Sequence, residues 1–145
     1  MFAFVVKRFH WLSRIPGFPQ IFDTILMIGT ALFSPGKLRA LETFEKKAIE
    51  SGLETAIHHF GGIGFLLRGR ELVHVHGNGL LDAFVGPIRR ETALKIPKVL
   101  PHHVMPSSGW VSFWIESDAD LDTAIELTKI ARDYRERPVA GSSRR

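Results

Sequence analysis

Apolar positions along the chain follow two different rhythms. Up to Gly52 they recur every three or four residues, the spacing of a helix buried along one face; from Leu53 to Val85 they come in short runs closed by glycines. The helical half contains one confident amphipathic element. Ser34 and Pro35 supply an N-cap and a first helical position, Leu38, Leu41, Phe44, Ala48 and Ile49 share a face, and Gly52 stands just beyond as a C-terminal stop. Its charged residues, Lys37, Arg39, Glu42, Glu45, Lys46 and Lys47, are expected to be solvated. Before it, residues 20–33 read as a largely buried helix. Their apolar core, Ile21 to Phe33, is about 13 residues long and contains Asp23, too short to span a bilayer. Residues 2–14 mix Phe2, Phe4, Phe9, Trp11 and Leu12 with Lys7, Arg8 and Arg14. A short helix of this kind suits docking on the domain, the favoured reading, or a membrane interface. Pro16, Gly17 and Pro19 separate it from the helix over 20–33.

The second half reads as strands over Thr55–Phe60, Ile63–Leu67, Leu72–His76 and Leu80–Val85, punctuated by Gly61-Gly62, Arg68-Gly69-Arg70 and Gly77-Asn78-Gly79. The connections are too short for crossover helices, so the pairing should be antiparallel. A short helix over 87–95 precedes a loop over 96–109 that carries Pro97, Pro101 and Pro106. A loop of that length in a small domain is usually functional or disordered. This one abuts a strong strand, Trp110–Ile115, and is expected to be ordered. Ser117 then caps a last helix, with Asp118 and Asp120 in its first turn and Leu121, Ala124, Ile125, Thr128, Ala131 and Tyr134 along its inner face. The expected fold is α+β: an antiparallel sheet of about five strands with N-terminal helices and a C-terminal helix packed on one side. The chain divides into a helical segment (1–35, docked or membrane-peripheral), an α+β domain (36–137) and a disordered basic tail (138–145).

Composition adds bounds. The chain has 145 residues, 45% hydrophobic and 23% charged, as in an ordinary globular domain. The absence of cysteine removes disulfides, thiolate metal sites and thiol nucleophiles. A net charge of +4, spread mainly toward the ends, is weak evidence for nucleic acid, and no nucleic-acid module signature occurs. An anionic membrane surface, contacted through residues 1–33, is a comparable candidate partner. Positive charges come after the apolar start instead of preceding it, the reverse of a secretory signal. The expected location is the cytoplasm, with a membrane-peripheral position as the alternative; the oligomeric state is open.

Chemistry concentrates in the histidines: His10, His58, His59, His74, His76, His102 and His103. In the strand Arg70-Glu71-Leu72-Val73-His74-Val75-His76, alternation puts His74 and His76 on one face with Leu72, and Glu71, Val73 and Val75 on the other. The two imidazoles lie about 6–7 Å apart along the strand, close enough to share one ligand, relay or ion. If the 96–109 loop returns over the sheet, His102 or His103 can join them. Asp82 depends on the turn. A two-residue Asn78-Gly79 turn pairs His74 with Ala83 and sends Asp82 to the opposite face, whereas a three-residue loop sets Asp82 across from His74 as a carboxylate partner. Asn-Gly favours the first. His-x-His on a strand also has a cupin-like look. The glutamate expected shortly after the second histidine and the downstream Pro-Gly-His pattern are absent, so a site without metal or other cofactor is expected, with a divalent metal at His74 and His76 as the alternative. Gly62-Ile63-Gly64 lacks the third glycine of a dinucleotide fingerprint, and Gly-x-Ser-x-Gly and His-Glu-x-x-His are missing.

The stretch Arg70-Glu71-Leu72-Val73-His74-Val75-His76 resembles the Arg-Glu-x-x-His-x-His core of fungal luciferases and of small prokaryotic luciferase-like domain proteins. The resemblance continues through His102-His103 to Pro106, the Trp110-led strand and the acidic start of the last helix, covering roughly residues 54–135. The N-terminal third matches poorly and lacks the clear membrane-spanning helix of the fungal enzymes. The resemblance implies oxygen chemistry, without a flavin, on a small phenolic, enolic or pyrone-type substrate. A basic histidine deprotonates an enol and donors stabilise the developing peroxide. It implies His74 and His76 as base and donor, with His103 or His102 as a further donor. It implies Arg70 as a contact for an anionic substrate, with Glu71, His102, Trp110 and Asp82 completing the substrate-contacting set. The competing readings are a non-catalytic small-molecule binding domain with the same pocket, a metal-dependent cupin-like enzyme, and a membrane-peripheral module.

Overall fold

The computed structural model describes residues 17–59 and 61–137. The expected helix over 2–14 and the tail after Arg137 lie outside them. The described chain forms helices α1 (Phe18–Phe33) and α2 (Pro35–Glu50), strands β1 (Glu54–Ile57), β2 (Ile63–Leu67), β3 (Arg70–Val75) and β4 (Leu80–Phe84), helix α3 (Pro87–Ala93), strands β5 (Leu100–Pro101) and β6 (Trp110–Trp114), and helix α4 (Leu121–Glu136). The strands make one antiparallel sheet in the order β1-β2-β3-β4-β6-β5. The class is α+β, as the sequence pattern implies. The sixth strand, two residues of the expected loop, is the addition. Pro101 lacks an N–H and is tolerated because β5 is an edge strand.

Alternation along β3, β4 and β6 gives the sheet two unlike faces. Val73, Val75, Leu81, Ala83, Val111 and Phe113 point to one and, with Ile115 just beyond β6, belong to the hydrophobic core. Ala40, Leu41, Phe44 and Ala48 of α2 and Leu121, Ala124, Leu127 and Ala131 of α4 cover it. Phe44 meets Phe65 edge-on at 5.3 Å between ring centroids. Ser117 and Glu116 donate their backbone N–H groups to Asp120 Oδ2, closing the 3₁₀ turn Asp118–Asp120 that opens α4.

Helix α1 is tied to the β3–β4 turn. Asp23 Oδ1 accepts the Gly77 N–H at 2.8 Å, and Thr30 Oγ1 donates to the Gly77 carbonyl at 2.7 Å. A Cβ on Gly77 would sit 2.7 Å from the Met27 backbone nitrogen, so glycine permits the close approach. On the opposite side α1 leaves Ile21, Ile25, Ile28 and Leu32 exposed at helical spacing. Among the described residues no helix is long and apolar enough to cross a membrane.

Candidate functional site

Two irregularities of the sheet build the site. The first is the β3–β4 turn. Asn-Gly by itself favours the two-residue turn, but His74 pairs with Asp82 and Val75 with Leu81, and the His76 N–H donates to the Leu80 carbonyl. The loop is therefore the three residues Gly77–Gly79, and the expected register is corrected by one. The physical reason is tertiary. The Gly77 N–H and carbonyl are held by α1, and Asn78 Oδ1 accepts the Leu80 N–H inside the loop. This register brings Asp82 under His74 with no solvent exposure of its own.

The second irregularity is a bulge between β2 and β3. Phe65 pairs with Val73 and Leu66 with Glu71, which leaves Leu72 as the extra residue. Leu72 joins the core, and Glu71 reaches the histidines. Simple alternation places each of them on the opposite face. A bulge resets the alternation on which that expectation rests. Glu71 Oε1 accepts from His74 Nδ1 at 2.9 Å and its Oε2 from His58 Nδ1 at 2.7 Å. The His58 ring stacks on His74 with centroids 3.8 Å apart.

The second layer comes from β5 and β6. Ser112 pairs with both Asp82 and Leu100, so β5 delivers His102 and His103 to the same place. Asp82 becomes the hub. Its Oδ2 lies 3.2 Å from His74 Nε2, 3.7 Å from His102 Nε2 and 3.9 Å from His76 Nε2. Its Oδ1 accepts a short hydrogen bond from Ser112 Oγ and lies 3.7 Å from His103 Nδ1. His76 Nδ1 faces Asp23 Oδ1 at 3.5 Å. His102 Nδ1 accepts the backbone N–H groups of Val104 and Met105 at 3.2 and 3.0 Å, which orients its ring and folds the loop over the cluster. Trp110, half-buried, stands 5.3 Å from His74 and 6.2 Å from His102 between ring centroids.

The electrostatics arise from these contacts. For His74, burial opposes the charged form, but the close approach of Asp82, the hydrogen bond to Glu71 and the charges of both outweigh it and raise the pKa to about 9. Burial likewise works against ionised Glu71, yet His58 and His74 hold its pKa down at about 2. Asp82 is driven far below the ordinary carboxylate range: burial opposes ionisation, and the histidines around it, His103 and His74 first, overcome that. His102 goes the other way, to about 4, chiefly through burial, with the neighbouring histidines adding to the shift and Asp82 resisting it.

The structure thus brings together His74, His76, His102, His103, Asp82, Glu71 and Trp110. Arg70 does not join them; it lies exposed at the start of β3, roughly 13 Å along the strand from His74. Residues 69–131 match the family model of the luciferase domain. Over that stretch the chain is similar to the luciferase domain. No curated protein and no solved structure matches the chain. The luciferase-family match takes in Arg70, Glu71, His74, His76, Asp82, His102, His103, Trp110 and Ser112, while Asp23 and His58 reach the cluster from outside it. Asp23, His58 and Ser112 are not among the candidates that the sequence pattern singles out. Asp23 has a signal, as the one charge in a strongly apolar helix. Ser112 shares strand parity with Trp110 between two core residues. For His58 the pattern offers only a choice between His58 and His59.

Proposed function

We propose that the cluster is the active site of a small-molecule oxygenase acting on an enolic, phenolic or pyrone-type substrate. The observation that carries this reading is the convergence of four histidines on the buried Asp82 carboxylate inside the stretch similar to the luciferase domain. The chemistry asks for little else. A base removes the enol proton, the electron-rich carbon of the anion forms a bond to O2, and the peroxide takes up a proton, so substrate and O2 combine into a hydroperoxide. His74, with both ring nitrogens directed at carboxylates, suits holding positive charge near the developing peroxide better than removing a proton. The base role therefore passes to His76 or His103. Trp110 offers a flat wall for an aromatic or pyrone ring, and the exposed position of Arg70 suits at most a contact at the edge of the site.

Oxygen uptake by the purified protein, screened across enolic phenols and pyrones, tests the reading. Turnover of at least one compound is expected, lowered about 10²–10⁴-fold by His76→Ala or His103→Ala and unchanged by His59→Ala. Saturable binding of these compounds with no O2 consumed would sink the oxygenase and leave a non-catalytic binding domain. A second reading is favoured by the exposed stripe of Ile21, Ile25, Ile28 and Leu32: peripheral contact of α1 with a membrane surface. Co-sedimentation with anionic vesicles, abolished by Ile25→Lys/Ile28→Lys, is its expected signature.

A further inference from the structure

The geometry points to a divalent transition-metal site formed by His74 Nε2, His76 Nε2 and Asp82 Oδ2. The three donor atoms lie within 4.8 Å of one another. Asp82 Oδ2 is fully buried and accepts no well-aligned hydrogen bond, although histidine nitrogens surround it at 3.2, 3.7 and 3.9 Å. Donor atoms bound at 2.0–2.1 Å to one tetrahedral or octahedral ion are separated by about 3–3.4 Å. The His74–Asp82 separation of 3.2 Å fits that spacing, and the His76–Asp82 separation of 3.9 Å is wider by about 0.5 Å, a gap that a small side-chain rotation closes.

The far side of each ring supports the same reading. His74 Nδ1 is held by Glu71 at 2.9 Å, and His76 Nδ1 faces Asp23 at 3.5 Å. A carboxylate behind a histidine fixes the proton on the distal nitrogen and aims the other lone pair at the ion. His102 is built differently. Its Nδ1 accepts two backbone N–H groups, so its proton sits on Nε2 and points toward Asp82. His102 therefore presents an N–H toward the site and is not a ligand. Two histidines and one carboxylate leave coordination positions open toward the His102–His103 loop, the ligand set typical of iron(II) oxygen chemistry and also acceptable to cobalt, zinc or manganese. Charge balance asks for a cation. Among the described residues the ion pairs of Asp23, Glu71 and Asp82 are all with histidine, so positive charge must come from protons on imidazoles or from a bound ion.

The test uses tag-free full-length protein stripped with chelator and titrated with Co²⁺, Zn²⁺, Mn²⁺ and, anaerobically, Fe²⁺. One equivalent bound, a raised Tm, and visible Co²⁺ ligand-field bands are expected. Asp82→Asn and His76→Ala should lose more than 10-fold in affinity, Glu71→Gln should lose about 10–100-fold, and His59→Ala should bind as wild type. No stoichiometric binding of any of the four ions by wild-type protein overturns the site, and this result stands even where a variant fails to fold. Binding that survives His76→Ala but is lost in His102→Ala overturns the ligand assignment. With an ion bound, the positive charge assigned to His74 would reside on the metal and the base role would fall to His103; the metal is read without substrate, so a failed oxygenase screen leaves this site standing, and absent metal leaves the oxygenase reading standing.

Discussion

On one side of β3, β4 and β6 stand Val73, Val75, Leu81, Ala83, Val111 and Phe113; one residue along the same strands, on the other side, stand His74, Asp82, Ser112 and Trp110. The first set is packed under two amphipathic helices, and its stability comes from area removed from water. The second is as deeply buried at His74 and Asp82, but it is covered by a loop and one end of a helix, and it survives only because nearly every polar group meets another. A protein can hold both kinds of interior on one sheet because the pleat sends adjacent side chains to opposite sides. The apolar face tolerates any well-filled arrangement, while the polar face works in one register only.

The largest effects should come from removing the centre of either face. Phe113→Ala and Asp82→Leu should each destabilise the chelated protein by about 3–5 kcal/mol, the first by leaving a cavity and the second by leaving histidine charge unpaired. Urea unfolding measures both. They separate in the folded fraction: Phe113→Ala should keep metal uptake and turnover, and Asp82→Leu should keep neither.

The next effect is on pH. In chelator, His74 is raised from 6.5 to about 9, so its contribution is complete below pH 6.5 and is lost as pH rises through 9. His102 is lowered from 6.5 to about 4, so the folded state loses stability as pH falls from 6.5 through 4, and Glu71, held at about 2, adds to the loss below 4.5. Urea stability of the metal-free protein should therefore peak near pH 6.5. A flat profile between pH 6.5 and 9 would show that His74 is not held between two carboxylates.

Ser112→Ala removes one donor to Asp82 and should cost about 1–3 kcal/mol. The accompanying change should be weakened metal affinity, because the carboxylate is then free to turn. At the small end, Ile28→Lys on the exposed stripe of α1 should alter stability by no more than about 0.5 kcal/mol in a thermal melt. A larger loss would mean that this stripe is covered in solution.

The architecture is legible because periodicity reports burial directly. Helix α2 is expected from Pro35 to Glu50 and is found there, strand β2 falls on Ile63–Leu67 as its pattern implies, and the antiparallel pairing comes with short connections. The site is legible in part. The His-x-His strand names itself, and the loop histidines need only a loop that returns. The side taken by Asp82, Glu71 and Leu72 is where spacing misleads. It is a matter of parity, and parity depends on single-residue events that local preference does not control.

The sequence by itself determined the class of fold, the helices and every strand but β5, and the stretch where histidine chemistry gathers, because each is written in local spacing and residue type. Tertiary structure alone decided which atoms meet. Helix α1 captured both backbone groups of Gly77 and set a three-residue turn against the Asn-Gly preference; a bulge swung Glu71 to the histidines; and the pairing of Ser112 with both Asp82 and Leu100 carried His102 and His103 across the sheet. Each outcome is fixed by hydrogen bonds between residues far apart in the chain, whose energies exceed the few tenths of a kcal/mol to about 1 kcal/mol that local preferences supply.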